Sequence, residues 1–292
     1  MATTGLYSQH VNNKKARYLR NTLLVAFLLL LAVACLFPLF YMIANSFGPA
    51  VEAAGSSRSI LPSSWSLDSY KAFFDFSKYS SRWLWNSLVV AVFQVIGNVL
   101  FASMAGYAFA KLNFKGKNVL FYLIMVGMMI PYQVTQVPLY ILIVNNFKMS
   151  NTYMALILPG LVTTYSIFLT KQFFSSIPTA LIESAKLDGC TQMGIFCRII
   201  LPLSKTILAV LAITTFLSSW NNFFWPNMIL LRHEQLWTLP IAMQQALARG
   251  AINNDYSVSL PMSLIVALPT FFLFAFFQKQ MTKGLVFTGL KG

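Results

Sequence analysis

A short polar segment in the second half of the chain carries residues whose types and spacing suggest a specific function. Charged residues alternate there with small ones, and an aromatic residue and a proline follow: Glu183, Ser184, Ala185, Asp188, Gly189, Phe196 and Pro202. Carboxylates beside small side chains suit polar contact with a closely approaching surface. Because the segment interrupts a strongly apolar chain, we predict that it is a docking element.

Helix start and stop signals indicate how the chain presents these residues. Pro178 suits the first turn of a helix, and Gly189 suits the position just after a helix end, where φ is positive. The spacing therefore predicts a helix over 179–188. Thr191 is expected to cap a second helix, which the dipeptide 201–202 then breaks. One apolar stripe is predicted along that second helix: Ile195, Phe196, Ile199 and Ile200.

Groups for catalysis or metal binding are scarce. The three cysteines, Cys35, Cys190 and Cys197, are scattered, so free thiols are expected, and the two histidines lie far apart in the sequence. The acidic residues show no ligand spacing, and no G-x-x-x-x-G-K-[ST] phosphate loop occurs. The sequence therefore predicts no catalytic, cofactor-binding or metal site, and no enzyme.

Composition places the chain in a membrane. Hydrophobic residues make up 57% and charged residues 10% of the sequence, a balance foreign to soluble domains. A membrane-spanning helix needs roughly 20 apolar residues. The charged residues leave six uncharged windows of 22 to 31 residues: 21–51, 83–110, 118–147, 149–170, 206–231 and 256–278. An all-α integral membrane protein with six transmembrane helices is predicted.

The basic residues set the expected orientation. If the N-terminus is cytoplasmic, the inner segments hold 14 of the 21 basic residues and two of the seven acids. The positive-inside rule then places both termini and the polar segment in the cytoplasm. The net charge of +14 is thereby explained by topology and by contact with membrane lipid, whereas no basic module for nucleic acid is evident.

Ionisable residues are absent from the predicted spans, which offer only neutral polar groups such as Gln94, Asn98 and Gln136. Ion-coupled carriers usually keep an ionisable residue at membrane depth, so energy for transport is expected from a partner. Three alternatives remain open from the residues alone. The chain could be a secondary carrier or channel, an intramembrane enzyme, or a protein whose polar segment is an ordinary amphipathic surface loop.

The polar segment resembles the EAA loop of permease subunits in binding-protein-dependent ABC importers. The family pattern E-A-A-x-x-x-G, followed by I-x-L-P, is met by Glu183, Ala185, Gly189, Ile199, Leu201 and Pro202. Asp188 occurs as it does in the sugar-importing branch, while Ser184 and Cys190 stand where the family prefers alanine. Further likeness, including 219–222 and the closing Lys291-Gly292, points to the maltose-type second permease subunit.

The resemblance implies a type I ABC importer permease fold in a bacterial cytoplasmic (inner) membrane. It implies a heterodimer with a second permease subunit, two ATPase subunits that bind ATP and Mg²⁺, and an extracytoplasmic solute-binding protein. The expected cargo is an oligosaccharide or related carbohydrate. In this architecture Glu183 and Asp188 supply polar contacts to the ATPase, and Ala185 and Gly189 are close-packing positions. The implied organisation is a cytoplasmic segment 1–20, a permease domain 21–281 with the EAA loop at about 174–204, and a cytoplasmic tail 282–292.

A second group of residues could line a substrate path. Trp220, Asn221 and Asn222 fall in the fifth window, and aromatic faces and amides suit a polyol. Interfacial anchoring and helix packing are the alternative interpretation, because Arg232 places this stretch near the outer surface.

Overall fold

The computed structural model describes residues 4–53, 59–230, 233–253 and 255–289, and these contain helices and no β-strand. We label the main helices α1 to α13. Their bounds are α1 Thr4–Ser46, α2 Asp68–Asp75, α3 Ser80–Lys111, α4 Lys117–Met129, α5 Tyr132–Tyr140, α6 Tyr153–Ile157, α7 Thr164–Ser176, α8 Thr179–Leu187, α9 Gln192–Ile195, α10 Lys205–Trp220, α11 Phe224–Leu230, α12 Leu239–Asn253 and α13 Ser259–Gly289.

Short helical pieces join some of these elements. Two are π-helical, two are 3-10 helices and two are single α-helical turns: Ile141–Asn146, Phe196–Ile200, Leu158–Gly160, Glu234–Leu236, Ala50–Ala53 and Leu201–Leu203. Lys283 and Lys291 of the expected tail lie where the structure describes no side chain or no residue, so the cytoplasmic tail 282–292 stays a prediction.

Among the residues that the structure describes, four helical segments are long and apolar enough to cross a membrane, and the number is six if each of two bent helix pairs counts as one span. The four are Arg17–Ser46, Ser80–Lys111, Tyr153–Ser176 and Ser259–Gln278, and each overlaps one of the predicted windows. The first of these segments, Arg17–Ser46, exposes a nearly continuous apolar surface from Leu23 to Phe40, as contact with lipid tails requires. The all-helical fold with six spans is confirmed in this form.

The third window is a broken span. Helices α4 and α5 meet at an angle of 101°. Ile130, the residue between α4 and Pro131, has extended backbone angles of φ −84° and ψ 121°, because a proline disfavours helical geometry in the residue before it. Pro131 also lacks the N–H that would continue the helical ladder. One proline therefore turns a 30-residue apolar window into two helices.

The structure divides into two compact units, residues 1–73 with 250–264 and residues 74–249 with 265–292. In the first unit, the Ser69 hydroxyl donates to the carbonyl oxygen of Gly48 at 3.1 Å. The rings of Phe47 and Tyr70 lie 5.1 Å apart between centroids. These contacts hold the start of α2 against the end of α1.

In the second unit, α3 packs closely against α7 and α10. A Cβ atom added at Gly106 would lie 2.2 Å from Thr170 Oγ1 and 2.9 Å from the backbone nitrogen of Lys171. Thr170 Oγ1 in turn donates to the carbonyl oxygen of Ala102 at 2.9 Å. Gly97 leaves similar space for the side chain of Leu161, so both glycines mark places where helices pack closely.

Candidate functional site

Helix α8 of the EAA loop ends as its sequence predicts. Gly189 has φ +78°, its N–H donates to the carbonyl oxygen of Lys186 at 3.0 Å, and the N–H of Cys190 donates to that of Ala185 at 2.9 Å. This pair of bonds is the Schellman motif, which satisfies the last carbonyl groups of a helix. The predicted helix 179–188 is confirmed to within one residue, since Asp188 is the capping residue.

The second helix of the loop starts at the predicted cap but ends later than expected. Thr191 Oγ1 accepts from the N–H of Gly194 at 3.1 Å. The expected break before the fifth span is present, but it lies at Ser204 and not at 201–202, because the helical path continues to Leu203. A π-turn makes room for Pro202, and the N–H of Leu201 donates to the carbonyl oxygen of Phe196, five residues earlier. The chain bends by 80° before α10.

The inner side of the loop is a small apolar core. Ala185 is 6% and Phe196 3% exposed, and both belong to one buried cluster with Ile182, Ile195 and Ile200. The predicted apolar stripe of the second helix is therefore confirmed. A direct contact of Ala185 or Phe196 with a partner does not fit this burial, because both side chains are covered by the chain itself.

This core joins the loop to the membrane-spanning helices. Tyr107 of α3 places its ring 5.4 Å from that of Phe196, and its hydroxyl donates to Oε1 of Gln192 at 2.8 Å. The ammonium group of Lys111 donates to the carbonyl oxygen of Ile177 at 2.5 Å. The loop is thus attached to the end of the second span by packed rings and by two hydrogen bonds.

The outer face of α8, defined here as Glu183, Ser184, Leu187 and Asp188, is exposed. Leu187 is 90% exposed, so its apolar side chain lies open on this face. Among the residues that the structure describes, the only ion pair is Lys71–Asp68, so the two carboxylates of this face have no ion-pair partner there. The outer face therefore offers two acceptors and one apolar knob to another surface.

Leu187 was not singled out from the sequence. The available signal was its i+4 spacing from Glu183, which places both side chains on one side of the helix. Gly189, just past the end of α8, is exposed, and Pro202 at the end of the second loop helix is exposed as well. A Cβ atom at Gly189 would meet no heavy atom of the chain within 4 Å, so the space next to the helix end is open.

Trp220 does not line an open path in this structure. Its side chain is 5% exposed, its indole N–H donates to the carbonyl oxygen of Val266 at 2.8 Å, and its ring stacks on Phe216 with centroids 5.7 Å apart. The alternative interpretation, helix packing, accounts for these contacts.

Asn221 and Asn222 lie at the break between α10 and α11. The Asn221 amide donates to the carbonyl oxygen of Leu217 at 3.0 Å, and Oδ1 of Asn222 accepts from the N–H of Trp225 at 3.4 Å. Asn221 is exposed. These amides close helix ends, and a role in a substrate path stays a prediction for them.

A further polar group fixes the segment that follows α11. Asn86 is fully buried and donates to the carbonyl oxygens of Gln235 at 3.1 Å and Trp237 at 2.8 Å, while the hydroxyl of Tyr153 donates to its Oδ1. The rings of Trp83 and Trp237 stack with centroids 5.8 Å apart. Sequence reasoning treated Asn86 only as a neutral polar residue of a span.

The sequence of this chain matches a family model and several known proteins. Residues 98–280 match the sequence model of the family described as "Binding-protein-dependent transport system inner membrane component". The arabinooligosaccharides transport system permease protein AraQ of Bacillus subtilis (strain 168) is 36% identical over 271 residues, which cover 92% of this chain and 95% of that protein. The sn-glycerol-3-phosphate transport system permease protein UgpE of Shigella flexneri serotype 5b (strain 8401) is 30% identical over 205 residues, 70% of this chain and 72% of that protein.

The fold also matches a solved structure. A chain from the crystal structure of a bacterial ABC transporter involved in the import of the acidic polysaccharide alginate superposes with a TM-score of 0.80. The match covers 90% of this chain and 97% of that chain at 20% sequence identity.

Proposed function

This chain belongs to the family of binding-protein-dependent transport system inner membrane components, and on that premise we propose that it forms half of an ATP-driven import pore for a carbohydrate. It is a permease component and not an enzyme, so the work of ATP hydrolysis falls to other subunits. The observation that carries the proposal is the outer face of α8, which is exposed, unpaired among the described residues and rigidly held.

The outer face suits a shallow cleft on an ATPase subunit. Leu187 is 90% exposed, and burying a leucine side chain contributes roughly 1.5–3 kcal/mol. Glu183 and Asp188 flank it as hydrogen-bond acceptors, and Gly189 lets a partner backbone approach closely. Ala185 and Phe196 act from beneath, because they fix the position of α8 without touching the partner.

The loop also has a rigid path into the membrane domain. The contact of Tyr107 with Phe196, together with the bond from Lys111 to Ile177, links the residues just after α9 and just before α8 to the end of α3. Closure of the ATPase subunits would therefore move the loop and α3 as one body. Such a movement would bias the pore between inward-open and outward-open states.

The proposed assembly contains this chain, a second permease subunit, two ATPase subunits that bind ATP and Mg²⁺, and an extracytoplasmic solute-binding protein. Both termini and the EAA loop lie in the cytoplasm, as the distribution of basic residues supports. Residues 21–281 form the permease domain. The segment 233–239, held by Asn86, faces the binding protein on the opposite side.

The proposed substrate is an oligosaccharide. The relative named for arabino-oligosaccharide transport shares 36% identity, above the 30% shared with the relative named for sn-glycerol 3-phosphate. A secondary carrier is disfavoured because the six windows hold no Asp, Glu, Lys, Arg or His that could couple ion movement to transport.

One affinity purification tests the assembly. The tagged chain is purified from its native membrane, and co-eluting proteins are identified by mass spectrometry. We expect an ATPase and a second permease subunit in near-equal amounts. Transport of labelled oligosaccharide by proteoliposomes of this chain alone, without ATP, would instead favour the carrier.

A further inference from the structure

A cavity of about 330 Å³ opens at the membrane end that carries the EAA loop. It lies between the end of α3, the start of α4 and the end of α7, all within one compact unit. Its lining includes two lysines, two neutral polar side chains and three aromatic rings, among them Lys117, Lys171, Asn118, Ser175, Phe109 and Phe121. Phe109 and Phe121 pack together with ring centroids 5.6 Å apart.

Contacts within the chain hold the side chains of the two lysines in place, but no carboxylate of the cavity lining neutralises their charge. Lys117 Nζ donates to the carbonyl oxygen of Leu112 at 2.8 Å, and an ammonium group has three N–H donors, so two remain. Lys171 Nζ lies 4.8 Å from the ring centroid of Phe121. Neither lysine has an ion-pair partner in the part of the chain that the structure describes. The lining residues include no carboxylate.

We propose that this cavity binds the phosphate headgroup of an anionic phospholipid. A phosphate has several acceptor oxygens and carries the charge that two ammonium groups require. The amide of Asn118 and the hydroxyl of Ser175 can complete its hydrogen bonds. Basic pockets between transmembrane helices are known to suit acidic headgroups.

The surroundings favour a lipid over a soluble anion. Helix α4 carries a strip of exposed apolar residues that leads away from the cavity into the span, with Val119 64%, Tyr122 68% and Leu123 62% exposed. This strip is a surface for an acyl chain, and each buried CH₂ group contributes about 0.8 kcal/mol. A free phosphate would gain nothing from it.

A bound headgroup would tie together three helix ends. Lys117 begins α4, Lys171 lies in the last turns of α7, and Ser175 lies at the start of the EAA loop, next to the end of α7. The site is therefore placed to hold the corner from which that loop emerges. The inference does not depend on the identity of the transported substrate or on the ATPase partners.

The test uses the full-length chain purified in a mild detergent. Retention of phosphatidylglycerol and phosphatidylcholine is measured by native mass spectrometry during lipid titration. The variant Lys117→Gln/Lys171→Gln removes both cavity cations. The control Lys115→Gln/Lys205→Gln removes the same charge from exposed positions outside the cavity lining. Lys117→Arg/Lys171→Arg keeps the charge and checks that the site tolerates substitution.

We expect the cavity variant to bind phosphatidylglycerol about tenfold more weakly, equivalent to about 1.4 kcal/mol. The control and the arginine variant should bind it as the unmodified chain does, and phosphatidylcholine binding should not change. Equal losses in the cavity and control variants would mean general surface attraction and would overturn the proposal. Displacement of the lipid by millimolar inorganic phosphate would assign the cavity to a soluble anion instead.

Discussion

The ring of Tyr107 in α3 packs against the ring of Phe196 in the EAA loop, with centroids 5.4 Å apart. Both side chains are buried, at 5% and 3% exposure. Because one residue belongs to a membrane span and the other to the loop, this contact makes the loop part of the membrane domain.

Removing the ring of Phe196 should uncouple the EAA loop from α3. Phe196→Ala leaves a cavity in a packed cluster, which costs about 3–5 kcal/mol in typical cores. Tyr107→Phe keeps the ring and loses only the hydrogen bond to Gln192, about 1 kcal/mol. We expect Phe196→Ala to lower the unfolding temperature of the purified chain and to abolish substrate-stimulated ATP hydrolysis by the assembled transporter. Tyr107→Phe should change both the unfolding temperature and the hydrolysis rate only slightly. Unchanged values for Phe196→Ala would refute the coupling role of this contact.

Leu187 should matter for partner binding and little for folding. Its side chain is 90% exposed, so Leu187→Ser should change the free energy of unfolding by no more than about 0.5 kcal/mol. Co-purification of the ATPase subunits should nevertheless fall. Ile252→Ser, at a position 83% exposed on α12, serves as the control and should leave co-purification intact. If both variants retain the ATPase subunits equally, Leu187 has no docking role.

Close packing of α3 on α7 should tolerate no added carbon at Gly106. A Cβ atom there would lie 2.9 Å from the backbone nitrogen of Lys171, and backbone cannot move aside cheaply. Gly106→Ala should cost about 1–3 kcal/mol by overpacking. Gly127→Ala is a milder control, since its nearest atom, Thr164 Cγ2, lies at 3.3 Å. Thermal unfolding of the two purified variants tests this prediction, which requires the lower unfolding temperature for Gly106→Ala. A lower unfolding temperature for Gly127→Ala would contradict it.

Orientation can be tested with native thiols. Cys197 is exposed and Cys190 is partly buried, so Cys197 should react faster with a membrane-impermeant maleimide. Reaction is expected only in inverted vesicles. A cysteine at exposed Ser64, in a background lacking the native thiols, should react only in intact cells. Labelling of Cys197 from outside would reverse the proposed topology.

The parts of this fold that local signals specify could be predicted from the sequence. The end of α8 at Gly189 and the cap at Thr191 each depend on a few neighbouring residues, and both are confirmed. The membrane windows depend only on apolar length. The later end of the second loop helix was missed, because a π-turn that accommodates Pro202 has no simple sequence signature.

Contacts between distant residues could not be predicted in this way. The indole partner of Trp220 is the carbonyl oxygen of Val266, 46 residues away, and the partners of Asn86 lie about 150 residues along the chain. The division of α8 into a buried Ala185 and an exposed Leu187 likewise depends on which side of the helix meets α9 and α3. Helical spacing gives the faces but not their neighbours.

The most direct test of the central claim compares two glycines. Gly189 and Gly116 have φ of +78° and +79°, and a Cβ atom at either would meet no atom of the chain within 4 Å. A valine at either position therefore brings the same backbone penalty, roughly 1–2 kcal/mol. Only Gly189 lies beside the outer face of α8. Substrate-stimulated ATP hydrolysis is measured in proteoliposomes of the assembled transporter. We predict that Gly189→Val abolishes it while Gly116→Val retains most of it; near wild-type hydrolysis by Gly189→Val, or equal loss in both variants, would contradict docking through the EAA loop.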